Sequence, residues 1–140
     1  MTDKLTAHFY LHELTSTTTH YDNTPPSSVI CSLYRLAEAL ELVRSACGNR
    51  PIQISSGYRS EALNSAIGGS ATSDHMKGLA CDFVINGLSL PEVMNKIMNS
   101  GIKYDQLIME PTWVHIGIGE RMRQQTLYTT DKRNYYEFIG

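Results

Sequence analysis

Two apolar stretches of this 140-residue chain are each interrupted by residues that can bind a metal. Residues 73–82 read Ser-Asp-His-Met-Lys-Gly-Leu-Ala-Cys-Asp and contain His75 and Asp82. Residues 113–118 read Trp-Val-His-Ile-Gly-Ile and contain His115. A carboxylate within an apolar strand is costly unless it is paired or bound to a cation, so Asp82 requires a partner. If the two strands are neighbours in a sheet, the three side chains converge on one point.

This set of side chains suits a catalytic zinc ion. Two imidazoles and one carboxylate are typical zinc ligands, and three protein ligands leave a fourth position for water. Zinc lowers the pKa of such a water toward neutrality and polarises a bound carbonyl. The alternative is a structural hydrogen-bonded His–Asp pair that holds no metal.

Hydrolysis also requires a base and a group that holds the substrate. Glu110 is the candidate base, because it ends the strand before His115 and Pro111 turns the chain directly after it. Asp74 and Asp105 are the alternatives for this role. Arg59 is a candidate for binding a substrate carboxylate or the developing oxyanion, where its forked donors fit best; the alternative is a solvated surface charge. Trp113 is expected beside the site, as packing or as a contact to substrate.

The elements that must position these residues follow from the hydrophobic pattern. Apolar residues at three- and four-residue intervals predict a helix over residues 28–47, and a capping box at Ser89 and Glu92 predicts another over residues 89–100. Strands are predicted at residues 51–55, 80–85, 104–109 and 113–118, with a helical turn at 60–65, an edge strand within 120–140, and a wrapping segment over 1–26. The expected fold class is α+β, with helices on a small, mainly antiparallel sheet, as one domain over residues 1–140.

Composition excludes several classes of partner. The net charge of −2 produces no field that would attract nucleic acid or anionic lipid. No apolar run reaches the roughly 20 residues that cross a bilayer, and the first residues lack the pattern of a signal peptide. Cys31 and Cys47 fall at opposite ends of the first long helix, about 24 Å apart at 1.5 Å per residue. They therefore cannot form a disulfide, and reduced cysteines are expected.

The motif Ser-x-His-x-x-Gly-x-Ala-x-Asp at residues 73–82, with Trp-Val-His at 113–115, resembles the zinc D-alanyl-D-alanine carboxypeptidase family. This family includes vancomycin-resistance dipeptidases and the L-alanyl-D-glutamate endopeptidases of phage endolysins. The run Ser-Gly-Tyr-Arg-Ser at 56–60 and Asn64 are also similar to its pattern, as is the opening with Glu13-Leu14 and 23–25. The likeness is closest to the short single-domain branch.

The resemblance implies the α+β fold of this family, which is shared with the hedgehog signalling domain. It also implies zinc ligands at His75, Asp82 and His115, a substrate-binding arginine at Arg59 and a substrate-site serine at Ser73. Many relatives place the catalytic acid three residues before the last histidine. Here Thr112 occupies that position and Glu110 stands five residues before His115, as is common in the short branch.

The function expected from these residues is a zinc peptidase that hydrolyses the stem peptide of bacterial peptidoglycan. The absence of a signal sequence and of a wall-binding module favours a phage lysis enzyme or a virion-borne enzyme. Such a protein is made in the cytoplasm and reaches the wall through a holin-like pore or on a particle. The alternatives are a cytoplasmic D-Ala-D-Ala dipeptidase, or a non-catalytic zinc-containing binding or tail-structural protein. The bond cleaved and the oligomeric state are left open.

Overall fold

The computed structural model describes residues 3–140. Met1 and Thr2, which belong to the stretch predicted to lack a signal peptide, lie outside the described residues. The helices are α1 (Leu11–Thr15), α2 (Ser27–Ala46), α3 (Glu61–Ala66) and α4 (Leu90–Met98), and a 3₁₀ turn spans Asp74–Lys77. The strands are β1 (Ile52–Ser56), β2 (Ala80–Ile85), β3 (Gln106–Met109), β4 (Val114–Gly117), β5 (Gln125–Tyr128) and β6 (Tyr136–Glu137). This is the predicted α+β class.

The six strands form one mixed sheet in the order β1-β2-β4-β3-β5-β6. Every neighbouring pair is antiparallel except β3 and β5, which run parallel. The prediction of a mainly antiparallel sheet is confirmed, and β2 has the predicted bounds. The C-terminal region supplies two strands instead of the one edge strand expected, because β5 pairs with β3 inside the sheet and β6 forms the edge.

One face of the sheet is covered by the two long helices. Residues Leu33, Leu36 and Leu40 form the buried stripe of α2, and Met94 and Ile97 form that of α4. Successive strand side chains point to opposite faces. Thus Phe83 and Ile116 enter the same core while Asp82 and His115 point to the other face. The pleat therefore separates the structural residues of β2 and β4 from the polar ones.

The N-terminal segment is fastened to the rest of the protein by a buried asparagine. Asn23 donates hydrogen bonds to the carbonyls of Thr15 and Tyr58, at 2.9 and 2.8 Å. Its oxygen accepts a hydrogen bond from the backbone N–H of Ser60 at 2.7 Å. Asn23 thus ties residues 15–23 to the loop that carries Arg59. In the sequence, Asn23 was notable only because residues 23–25 are similar to the pattern of the zinc carboxypeptidase family; its hydrogen-bonding role was not predicted.

Asn23→Ala is expected to lower the free energy of unfolding by about 1–3 kcal/mol, because three buried backbone groups lose their partner. Urea titration followed by far-UV circular dichroism measures this change. Asn99→Ala is the matched control: Asn99 is exposed at the end of α4, and we expect a change within about 0.5 kcal/mol. Equal effects of the two substitutions would contradict the structural role of Asn23.

Within residues 3–140, no helix combines the length and the apolar character that crossing a membrane demands.

Candidate metal centre and active site

Strand pairing brings two of the three candidate ligands together. In the antiparallel pair β2–β4, Asp82 lies directly opposite His115. Side chains at such positions project from the same face with Cβ atoms about 4.5–5.5 Å apart. The His115 Nδ1 atom lies 2.9 Å from Asp82 Oδ1. The two residues, 33 positions apart in sequence, therefore form a pair through sheet register alone.

The third candidate ligand, His75, comes from the 3₁₀ turn that precedes β2. The Ser73 hydroxyl accepts a hydrogen bond from the His75 backbone N–H at 3.2 Å and begins this turn. Gly78 ends it with φ of +71°, and a Cβ there would lie 2.8 Å from Val29 Cγ1. Only glycine fits this bend, which places His75 Nε2 3.4 Å from Asp82 Oδ1.

Hydrogen bonding fixes which nitrogen of His75 faces the site. His75 Nδ1 lies 2.7 Å from the Gly57 carbonyl, and since a carbonyl only accepts, Nδ1 carries the proton and donates. Nε2 is therefore left as the electron-pair donor. Burial lowers the pKa of His75, which favours the neutral form that binds metals. Burial raises the pKa of Asp82, but the hydrogen bond with His115 and the contact with the His75 ring outweigh it and keep this pKa well below its usual value.

The three side chains meet the requirements of a metal site. One ligand atom from each lies within 4.8 Å of the others. Donors around a tetrahedral zinc at about 2.0–2.2 Å are about 3.3–3.6 Å apart. The 3.4 Å between His75 Nε2 and Asp82 Oδ1 falls in this range, and the 2.9 Å between His115 Nδ1 and Asp82 Oδ1 is shorter, as befits a hydrogen bond. The side chains of His75, Asp82 and His115 are 3%, 14% and 17% exposed. The donor set, nearly shielded but open on one side, fits zinc.

Glu110 lies beside this site at the β3–β4 turn. Its backbone N–H donates to the Trp113 carbonyl at 2.9 Å, which closes the turn, and its carboxylate lines the cavity that His115 also lines. Glu110 Oε2 is buried and has no hydrogen-bond partner among the described residues. Burial is the main cause of the raised pKa of Glu110. A buried carboxylate oxygen without a partner is costly, so its presence in a residue that lines this cavity requires an explanation.

Arg59 reaches the same cavity from the loop after β1. Its backbone N–H donates to the His75 carbonyl at 3.0 Å, and its Nη1 donates to Asn64 Oδ1 at 3.2 Å. A Cβ on Gly69 would lie 2.1 Å from that Asn64 oxygen, so the loop leaves the space this contact needs. Arg59 Nε is buried with no partner among residues 3–140. Arg59 is therefore not a solvated surface charge.

Residues 7–117 match the model of one protein family, described as peptidase M15. The chain belongs to the peptidase M15 family. It is also similar to the zinc D-Ala-D-Ala carboxypeptidase of Streptomyces albus G, with 44% identity over 43 residues. That alignment covers 31% of this chain and 17% of the carboxypeptidase, so the similarity spans less than a fifth of the relative.

In this member of the M15 family, residues beyond the matched stretch form one side of the cavity. The cavity has a volume of about 610 Å³ and includes all three candidate ligands, Glu110 and Arg59. One part of its wall comes from the β4–β5 loop, β5 and the C-terminal segment: Arg121, Arg123, Gln125, Leu127 and Tyr135. Sequence reasoning did not find these residues. Their pattern carries no motif, and only the parallel β3–β5 pairing places them near the candidate ligands.

The other residues singled out from sequence have distinct positions. Ser73 and Trp113 both line the cavity, and the Lys132 ammonium lies 4.9 Å from the centre of the Trp113 ring. Asp74 also lines the cavity and stands next to the candidate ligand His75 in the chain. Asp105 is nearly fully buried and bonds the Arg123 guanidinium at 2.8 and 3.0 Å. This pairing argues against Asp105 as the base, whereas Asp74 stays an alternative.

Proposed function

We propose that the protein is a zinc-dependent peptidase that hydrolyses peptide bonds in the stem peptide of bacterial peptidoglycan. The observation that carries this proposal is the convergence of His75, Asp82 and His115 in a cavity that Glu110 also lines. Membership in a peptidase family and similarity to an enzyme named for zinc and D-Ala-D-Ala support the metal and the substrate class.

The three ligand residues would hold zinc, which supplies Lewis acidity and activates a water for attack on the peptide carbonyl. Glu110 is placed to accept the proton of the attacking water and to pass it to the leaving amine. Its raised pKa suits this double task, because a base with a pKa nearer neutrality also acts as an acid at the same pH. Donors on Arg59 would bind a substrate carboxylate or the oxyanion, and Ser73 and Trp113 would contact the substrate.

Two finer assignments belong to the same proposal. The bond is either the terminal D-Ala–D-Ala bond or the internal L-Ala–D-Glu bond, since each lies next to a carboxylate that Arg59 can bind. The biological role in this proposal is that of a phage lysis enzyme, or of an enzyme carried on a virion, which acts at the bacterial cell wall. One domain over residues 1–140 would contain the complete site.

Incubation of purified peptidoglycan with the protein tests this proposal. Mass spectrometry of the released fragments identifies the bond that is cut, and a parallel reaction with a chelator should release none. Intact stem peptides after incubation with a zinc-loaded protein would refute the peptidase function. Fragments cut only within the glycan would also refute it.

Arg59→Lys is expected to lower activity by about tenfold to a thousandfold, the range seen when one strong transition-state donor is lost. An ammonium has no planar fork and cannot reproduce both the Asn64 contact and the substrate contact. Steady-state cleavage of a synthetic stem peptide measures the change. Arg50→Lys, at an exposed arginine that does not line the cavity, serves as the control and should be unchanged. A fully active Arg59→Lys protein would contradict the role of Arg59.

A further inference from the structure

The cavity extends well beyond the candidate ligands, toward β5. Sheet register places His115 opposite Ile108, and Ile108 opposite Leu127, so one row of side chains crosses three strands. All three line the cavity. At about 4.8 Å per strand, the floor reaches about 10 Å from β4 to β5. An extended peptide covers this distance with about three residues.

One end of this floor, where β3 and β5 begin, is rich in hydrogen-bond donors. Gln106 Nε2 donates to Gln125 Oε1 at 2.7 Å, so the oxygen of Gln125 is engaged and its amide nitrogen is left to donate. Arg121 and Arg123, from the segment just before β5, also line the cavity. Carboxylates accept hydrogen bonds and guanidinium groups donate them in matched pairs, so this end suits an anion.

The two arginines differ in how their charge is compensated. Arg123 forms two bonds with the buried Asp105, which fixes its guanidinium and neutralises it. Arg121 makes no ion pair with any of residues 3–140. Three carboxylates share a second cavity with Arg121: Asp74 lies 4.0 Å from the Lys77 ammonium, Asp105 is bonded to Arg123, and Glu120 is exposed. The charge of Arg121 is therefore available to a ligand.

We propose that this end of the cavity is a subsite for a substrate carboxylate about two or three residues from the cleaved bond, with Arg121 as its principal cation. The inference rests on the proposed peptidase function and adds a second anionic group to the one that Arg59 binds. Arg121 lies outside the stretch that matches the family, residues 7–117, so the subsite belongs to this chain's own C-terminal region. The substrates it favours are acidic peptides.

Matched peptides test the subsite. Stem-peptide analogues carry either a carboxylate or a carboxamide at each position two or three residues from the cut, and kcat and KM are measured for each. We expect the parent protein to prefer the carboxylate at one position by about tenfold to a hundredfold in kcat/KM. Arg121→Gln should abolish this preference through KM, with kcat retained and the carboxamide peptide unaffected.

Substitutions at Arg121 and at a control arginine separate the effect of the subsite from a general effect of charge. Arg121 is exposed, so its substitution should not disturb folding, and Arg121→Glu should reverse the preference. Arg133→Gln removes an equal charge from an exposed residue that does not line the cavity and should behave as the parent. If the parent cleaves both peptides of every pair equally, or if Arg121→Gln retains the preference, the subsite is refuted and the peptidase function stands. If the parent cleaves no peptide, the proposed function itself fails, and the subsite with it.

Discussion

Glu110→Gln is expected to yield a folded, zinc-loaded protein whose peptidase rate is lower by about a hundredfold to ten-thousandfold, the usual effect of losing a general base. Glutamine keeps the shape of the side chain and the backbone contact with Trp113, but it cannot accept a proton. Stem-peptide cleavage and elemental analysis on the same sample measure the rate and the zinc content.

Two controls separate this role from its alternatives. Glu137→Gln changes an exposed glutamate on β6 that lies outside the cavity and should retain full activity. Asp74→Asn changes the acidic residue that lines the cavity in addition to Glu110 and the candidate ligand Asp82, and this variant should retain most of the activity. If Glu110→Gln cleaves normally and Asp74→Asn fails, Asp74 is the base. If the zinc-loaded parent binds stem peptides without cleaving them, the protein is a binding module and not an enzyme.

His75→Ala and His115→Ala should each abolish both zinc binding and activity, because two remaining donors cannot hold the ion in a catalytic geometry. The parent should contain one zinc per chain. Chelation should lower its melting temperature, since a metal that binds only the folded chain stabilises it by mass action. Elemental analysis and thermal unfolding with and without chelator measure these effects. Both histidines are largely buried, so the fold of each variant is checked by circular dichroism.

His20→Ala is the matched control for metal binding. His20 is exposed and stacks on Tyr21, far in sequence from the three ligand residues. This variant should keep its zinc and its melting temperature. A parent protein that takes up no zinc on reconstitution would overturn the metal site. A folded His115→Ala protein that still binds one equivalent tightly would remove His115 from the ligand set.

The sequence was informative where a structural feature depends on residues close together in the chain, because the pattern that predicts the feature is then found in a single segment. Asp82 is an isolated carboxylate within an apolar run, and that run alone predicts a strand with a polar group that needs a partner. His115 repeats the pattern. Gly78 marks the bend between His75 and β2, and Ser89 with Glu92 marks the start of α4 by a capping box that the structure contains. Each of these features depends on residues within a few positions of one another.

The cavity wall opposite Arg59 had no such local signal. Arg121, Arg123 and Gln125 lie in a polar stretch whose pattern is typical of any surface loop. They border the site because β5 pairs with β3 in parallel, a long-range pairing that no turn between the two strands dictates. Similarly, Asp105 could be considered as a base from sequence, and only its bonds to Arg123 argue against that role.

The amino-acid sequence by itself determined the α+β class, the candidate metal ligands and the strands that carry two of them, because hydrophobic periodicity and a costly buried charge act locally. Tertiary structure alone decided that Asp82 lies opposite His115, that the Gly57 carbonyl orients His75, and that the C-terminal region completes the cavity. Those facts depend on strand register and on contacts between distant segments. Such contacts form only when the whole core is packed, so no short stretch of residues specifies them.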